Sequence, residues 1–317
     1  MVPERRLIGV TNLADKFTAM HKRIALGLDL GGSSLKAVAM TAEGEILHQL
    51  NRSFDITIPM DWAEKVKEAV IDLNQFLAVP SAVIGLAAPG LVAANTRAIA
   101  YMPGRLEGLE NFDWTEFLNA PQPIPVLNDA QAALLGEVRG GAAQGETNVI
   151  LLTLGTGVGG AAMVDGHLLR GAIGRAGHLG HVSLSANLPL NTTNCPGGLE
   201  YEIGNYSIGQ RSEGRFLNTH DLVKAYEAGD PFAAKVWLHS IECLARAVTS
   251  FINILDPETV LIGGGIAGAG RSLFDPLETA LRPIEWAAGG HRVRIKPARL
   301  GEFAGAIGAA WNALHSS

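Results

Sequence analysis

The chain's 317 residues are 47% hydrophobic and 18% charged, with a formal net charge of −6, which suits a core of two-domain size and excludes a disordered chain. The negative balance leaves no basic footprint, so nucleic acid is not an expected partner. Cys195 and Cys243, far apart, offer no disulfide framework and suit a reducing, cytoplasmic compartment, and no apolar run, in residues 1–22 or later, reads as a signal peptide or a membrane span.

In chain order, the apolar run Ile24–Leu30 meets Asp29 and a Gly-Gly pair, a second run follows at 36–40, and Ala42-Glu43-Gly44-Glu45 turns the chain into 46–50. This reads as a hairpin of two strands, with a third after Arg52. Trp62, Val66, Val70, Leu73 and Leu77 recur at helical spacing over 60–77 and predict an amphipathic helix. Residues 82–88 read as a buried strand ended by Pro89-Gly90, and 126–127 as a short strand running into Asn128-Asp129 and an Ala/Leu-rich helix at 130–139.

The second half repeats the theme: a strand at 148–154, a glycine turn at 155–160, and a strand at 161–164 ending in Asp165-Gly166. A long helix at 230–255, a strand at 259–262 closed by Gly263-Gly264-Gly265, and a small-residue helix at 302–314 complete the chain. Two halves that each open strand–glycine turn–strand predict an α/β fold, a duplicated unit with a cleft between its domains. The expected division is a smaller domain of residues 1–125 plus 302–317 and a larger one of 126–301, with hinges near 121–125 and before the last helix.

Asp29-Leu30-Gly31-Gly32-Ser33-Ser34-Leu35-Lys36 lies between two predicted strands. A turn without Cβ atoms lets backbone N–H groups approach phosphate oxygens, and serine hydroxyls add donors. Asp29, at its strand's end, is placed to hold a hydrated magnesium ion through water. Gly155-Thr156-Gly157-Val158-Gly159-Gly160 has the same design. Each alone also fits a tight hairpin; neither is followed by Gly-Lys-Ser/Thr, nor opens a helix as a dinucleotide fingerprint does. The tract at 263–265 offers a flat backbone for adenine or ribose. Asn128-Asp129 reads both as a helix cap and as a catalytic element, because phosphoryl transfer needs a carboxylate that orients the attacking hydroxyl and takes its proton. Asp129 is the candidate base.

With these pieces assembled, the chain resembles the ROK family of the actin-like ATPase superfamily, from about Ile24 to Leu314. The carriers are the Asp29–Lys36 element, Ala88-Pro89-Gly90, Leu127-Asn128-Asp129-Ala130-Gln131-Ala132-Ala133, Leu154 with the second glycine turn, Gly180-His181, Leu261-Ile262-Gly263-Gly264-Gly265 and Leu300-Gly301-Glu302. The resemblance implies a two-domain, ribonuclease H-like α/β fold that binds ATP and magnesium. It implies phosphate contacts at Asp29, Gly31, Gly32, Ser33 and Lys36, then at Gly155, Thr156, Gly157 and Gly159, and adenosine contacts at Gly263, Gly264 and Gly265. It also implies Asp129 as base, and Asn128, Gly90, His181 and Glu200 beside a sugar, in a homodimer.

The sequence departs from the family at three places. The usual E-x-G-H element reads His178-Leu179-Gly180-His181, so an imidazole, with one acceptor and one donor when neutral, replaces a carboxylate. His178 either meets substrate or is a solvated loop residue. The zinc element C-x-C-G-x-x-G-C-x-E has Asn191, Thr193 and Gly198 at its cysteine positions, with Cys195 out of place, so no structural zinc is expected. Where a sugar-binding Asn is usual, Gly104 is followed by Arg105, which reads as a surface residue or as a grip on an anionic sugar.

The expected function is ATP- and magnesium-dependent phosphorylation of a hydroxyl on a small sugar-like molecule. The alternative is a non-catalytic sugar-binding or sugar-sensing member; the 23 residues before Ile24 are too few for the winged helix-turn-helix of the family's repressors.

Overall fold

The computed structural model describes residues 23–77, 83–191 and 193–316. The reading of residues 1–22, the start of the strand expected at 82, and the last residue of the 302–317 segment lie outside them. No helix among the described residues is long and apolar enough to cross a membrane.

Two five-stranded sheets share one topology. In the first, β1 (Ile24–Leu30), β2 (Ser34–Thr41) and β3 (Ile46–Ser53) form an antiparallel meander, and β4 (Val83–Ala88) adds parallel to β1. After a small ribbon of β5 (Leu91–Val92) and β6 (Ile99–Tyr101), β7 (Val126–Asn128) pairs parallel with β4, giving the order β3-β2-β1-β4-β7. The second sheet is built from β8 (Val149–Leu154), β9 (Val158–Val164), β10 (His167–Leu168), β11 (Thr259–Gly263) and β12 (Arg294–Pro297) in the order β10-β9-β8-β11-β12. Its pattern of parallel and antiparallel pairs is the same, so the duplication read from the glycine turns is present strand for strand.

Burial explains the strand patterns. The central strands β1 and β8 are covered on both faces and read as continuous apolar runs, whereas β3 alternates exposed and half-buried positions at a sheet edge. Helix α1 (Asp61–Leu77) seals one face of the first sheet with Trp62, Val66, Val70 and Leu73, and Leu77 packs half-buried at its end. A short helix, α2 (Trp114–Phe117), adds the buried Trp114 to the same core. Two helices lie between the sheets: α3 (Asp129–Gly140), whose Ala130, Leu134 and Val138 pack with Leu151 and Ala161 of the second sheet, and the C-terminal helix (Ala304–His315), which crosses α3 and lies on β1 and β4. The latter can lie so close because it is built of small residues facing glycine. A Cβ on Gly27 would sit 1.8 Å from the Ala306 carbonyl oxygen, and one on Gly308 would sit 1.8 Å from that of Ala132. The second sheet is covered by the long helix Pro231–Leu255, started by Pro231 and capped by Asp230, whose Oδ1 accepts the Phe232 and Ala233 N–H groups at 2.8 and 3.0 Å.

Three local expectations are corrected. No strand follows Arg52: β3 itself runs through Ser53, and Asp55 Oδ1 then takes the Thr57 N–H at 2.9 Å and its hydroxyl at 2.7 Å, which closes a turn instead. The second glycine turn is shorter than 155–160, because Val158, Gly159 and Gly160 already pair with β8. The last helix begins at Ala304, with Glu302 in a 3-10 turn before it. The division expected at residue 125 separates β7 from the sheet to which it is hydrogen-bonded through β4.

Candidate active site

The candidate residues gather at the carboxyl ends of parallel strands, where open α/β sheets place their ligand crevices. Asp29 is the second-last residue of β1, Pro89-Gly90 follow β4, and Asn128 ends β7 with Asp129 opening α3. Asp29 and Leu127 are both level with Ala87 on the strand between them, so β1 and β7 run roughly 10 Å apart at this height. The Asp29 carboxylate is pressed against the first turn of the C-terminal helix, where a Cβ on Gly305 would meet Oδ2 at 2.3 Å. Burial pushes its pKa up to about 7, the charge of Asp129 adds to the rise, and Lys36, opposite it across the hairpin, works against it.

Asp129 keeps solvent access, yet the protein around its carboxylate raises its pKa. The Ala130 N–H, 2.8 Å from Oδ1, and the nearby His178 temper that rise. Asn128 is buried and serves the fold: Oδ1 accepts from Ala130 N (3.0 Å) and Gln131 N (3.4 Å), capping α3, and Nδ2 donates to the Gly90 carbonyl at 3.1 Å. Both readings of Asn128-Asp129 therefore share one place, with the cap made by Asn128 and a free carboxylate edge left on Asp129.

The first glycine turn is closed by Gly31 N–H to Ser34 O at 2.8 Å, and Lys36 Nζ donates to Ser34 Oγ at 2.6 Å. Gly32 and Ser33 are exposed and line a cavity of 810 Å³ together with Ile56 and the 102–110 loop. Arg105 of that loop is exposed, with Nη1 3.9 Å from where a Gly32 Cβ would stand, so the structure brings it over the first turn. The second turn is braced by Asn205 and Tyr206, whose N–H groups donate to the Gly155 and Thr156 carbonyls at 2.9 Å. Glu200 reaches this turn: Oε2 accepts Val158 N–H at 3.1 Å and fills the space a side chain on Gly157 would need, 2.2 Å from its Cβ position. Gly264 packs on the end of β8, where a Cβ would lie 2.3 Å from Leu154 O, so the third tract adjoins the second turn.

His178 and His181 stack, with ring centroids 6.4 Å apart and 12° between planes. His178 Nδ1 lies 3.1 Å from the Arg175 carbonyl, and its pKa is lowered by burial first, then by His181, against the pull of that carbonyl and of Asp129. His181 Nδ1 lies 3.1 Å from Asn191 Nδ2. Asn191 Oδ1 accepts three donors: Thr193 N (2.9 Å), Thr193 Oγ1 (2.8 Å) and Cys195 N (3.0 Å). Cys195 Sγ turns to the His181 carbonyl at 2.9 Å. This donor set does not fit a thiolate-rich structural zinc site: among the described residues Cys195 supplies the one thiol here, turned to the His181 carbonyl, and the Nδ1 atoms of His178 and His181 are each engaged by a neutral protein group. Elsewhere, Glu202, His239 and Cys243 could meet around one ion. Glu202, however, balances the half-buried Arg211, and burial holds the Cys243 thiol protonated with a pKa of about 12.

Sequence reasoning missed Asn191 as a partner of His181, Arg175 as a partner of His178, and Gly305 as the wall behind Asp29. Asn191 was visible only as a missing cysteine, and nothing in the linear pattern marks the other two.

The ROK family model matches residues 25–316. A glucokinase of Halalkalibacterium halodurans is 31% identical, covering 92% of this chain and 95% of its own. Among solved structures, a ROK hexokinase from Thermus thermophilus aligns with a TM-score of 0.82 at 30% identity, over 92% of this chain and 98% of that one. A ROK family glucokinase from Streptomyces griseus, solved with glucose and AMPPNP, aligns at 0.72 and 24% identity over 92% and 99% and supports the fold alone. The fold is the two-lobed actin-like ATPase fold expected from the sequence, and the chain belongs to the ROK family.

Proposed function

We propose that the chain transfers the terminal phosphate of ATP to a hydroxyl of a neutral, glucose-like sugar in the cleft, with Asp129 as general base. That it is a carbohydrate kinase follows from its relatives, a glucokinase and a hexokinase aligned over nearly the whole chain. The observation that carries the finer reading is the position of Asp129: a solvent-accessible carboxylate of raised pKa at the end of β7, in the same strand-end row as Asp29. The raised pKa makes it a stronger base than an ordinary carboxylate, suited to a hydroxyl proton. The hydroxyl oxygen bonds to the γ-phosphorus as the bond to the β–γ bridging oxygen breaks, ADP leaves, and the hydroxyl proton passes to Asp129.

Gly31, Gly32, Ser33 and Lys36, with the turn at Gly155, Thr156, Gly157 and Gly159, would receive the phosphates, and Gly263, Gly264 and Gly265 the adenosine. Asn128, through its remaining amide N–H, His178, His181, Glu200 and the Gly90 corner would surround the sugar. The Asp29 carboxylate accepts no hydrogen bond among the described residues, and burial first and the charge of Asp129 second raise its pKa to about 7, so its hard oxygens fit a magnesium ion bound through water. When bound, magnesium supplies charge neutralisation at the phosphates. The two lobes would be the two sheets with their covering helices, closing over the cleft to exclude water. The unpaired Cys195 and Cys243 support a cytoplasmic setting, and the family resemblance supports a homodimer.

The test is sugar-phosphate formation by purified protein with magnesium and a sugar panel, read as ADP release when ATP is the donor and as the sugar phosphate itself when polyphosphate is. Glucose-dependent ADP formation is expected, and Asp129→Asn should lower kcat by about 10²- to 10⁴-fold with an unchanged circular dichroism spectrum. Undiminished turnover in that variant would remove Asp129 from the role. A sugar-binding protein without transfer is the second reading, and sugar binding without any sugar-phosphate formation would establish it.

A further inference from the structure

The stacked histidines carry hydrogen positions that their partners fix. A carbonyl oxygen only accepts, so His178 Nδ1, 3.1 Å from Arg175 O, carries the proton, and neutral His178 keeps its lone pair on Nε2. Asn191 is oriented by its own contacts: three donors converge on Oδ1, which makes the other terminal atom the NH2 group. That NH2 faces His181 Nδ1 at 3.1 Å, so Nδ1 is the acceptor and the His181 proton sits on Nε2. An imidazolium at His181 would set an N–H against an N–H. The two rings, nearly parallel and 6.4 Å apart, thus hold opposite polarities on their remaining nitrogens, close enough to Asp129 for its charge to act on His178.

We propose that His178 and His181 form a donor–acceptor pair, with His178 Nε2 accepting and His181 Nε2–H donating, and that the pair selects an acceptor sugar by a neutral vicinal diol. One hydroxyl of the diol donates to His178 while its neighbour accepts from His181. A carboxylate on the sugar can satisfy only the His181 N–H and an ammonium only the His178 lone pair, so acidic and cationic sugars leave one ring of the pair without a partner and are disfavoured. Asn191 is a positioning residue: its amide sets the tautomer of His181. The substrate class rests on the kinase reading above, whereas the tautomers do not.

Nitrogen-15 NMR of the imidazoles in the free protein tests the pair first. His178 protonated on Nδ1 and His181 on Nε2 is the expected result, and the opposite assignment at either ring overturns the inference. Steady-state kinetics with glucose and magnesium–ATP tests its use. His178→Gln, which returns an acceptor, should keep the KM for glucose within about threefold, whereas His178→Leu should raise it about tenfold or more with kcat changed far less. Equal KM values in the two variants would overturn the acceptor role. Asn191→Asp, read at pH 8.5, keeps an oxygen for the three donors but replaces the NH2, so the His181 proton should move to Nδ1 and the KM should rise about tenfold. A proton that stays on Nε2 removes Asn191 from its role. Should the wild-type protein phosphorylate no sugar, the kinase reading falls while the NMR still decides the tautomers; inverted tautomers in an active kinase overturn only the pair.

Discussion

Asp29→Asn should make the protein more stable and less active, and the gain should depend on pH. The carboxylate is pushed from an ordinary 3.8 up to about 7, by burial first and by Asp129 second. Between those values the folded protein keeps a proton that the unfolded chain has released, so stability falls as pH rises through this window and is lowest above about 7. At 1.36 kcal/mol per pH unit, the interval sets an upper bound of about 4 kcal/mol, and solvent relaxation in a half-buried site reduces it to about 2–4 kcal/mol. An amide of the same shape removes the charge. In EDTA at pH 8 the variant should melt roughly 4–8 °C above wild type, while at pH 4.5 the gap should shrink to below about 1 kcal/mol. Magnesium added at pH 8 should raise the melting temperature of the wild type and leave that of the variant unmoved. A variant no more stable than wild type at pH 8, or a gain of equal size at both pH values, would refute the reasoning that Asp29 is a strained charge awaiting a cation.

Three further outcomes follow from single contacts. Glu200→Gln leaves an acceptor for Val158 N–H but halves the charge-assisted capacity of the side chain, so KM for glucose should rise about 3- to 30-fold with little loss of stability, read by kinetics and thermal melting. Arg105→Gln withdraws a cation from above Gly32, and a several-fold rise in KM for ATP that fades in high salt is expected; no change at low salt would return Arg105 to the solvated surface. Gly308→Ala puts a methyl 1.8 Å from the Ala132 carbonyl and should cost about 3 kcal/mol or more in urea unfolding, because backbone on both sides must separate.

The sequence made some features legible because their cause is local. Ile24–Leu30 reads as a strand because both its faces are buried, and residues 60–77 read as a helix because one stripe faces the first core. Elements whose cause is a distant partner were harder to place. Gly159 and Gly160 resemble a turn in the linear pattern but are strand residues, since the cost of glycine in a strand is met by pairing with β8. The three residues of β7 give too short a signal to say which sheet they join, so the expected domain division missed their bond to β4. Asp129 was recognisable from its motif, but its electrostatic contact with Asp29 depends on both strands flanking β4.

Despite the duplication, the two central strands differ in charge at equivalent places. Asp29 and Thr153 occupy equivalent places, each the second-last residue of the central strand before its glycine turn, and each opposite a residue of the returning strand, Lys36 or Gly159. The first half carries a carboxylate with a lysine across the hairpin; the second carries a hydroxyl facing a glycine that has no room for a side chain, since a Cβ there would lie 2.4 Å from Thr153 Oγ1. Two symmetric acidic turns would surround a triphosphate with like charge on both sides. With an acid at the strand end only in the first half, Asp29 and Asp129 share one region where a cation can neutralise them, while the second turn, whose neighbouring carboxylate Glu200 is engaged by Val158 N–H, would meet phosphate with its own neutral donors. Restoring the symmetry tests this: Thr153→Asp should weaken binding of an ATP analogue by about tenfold or more in calorimetry while leaving glucose binding unchanged, and undiminished nucleotide affinity would mean that the asymmetry has no electrostatic purpose.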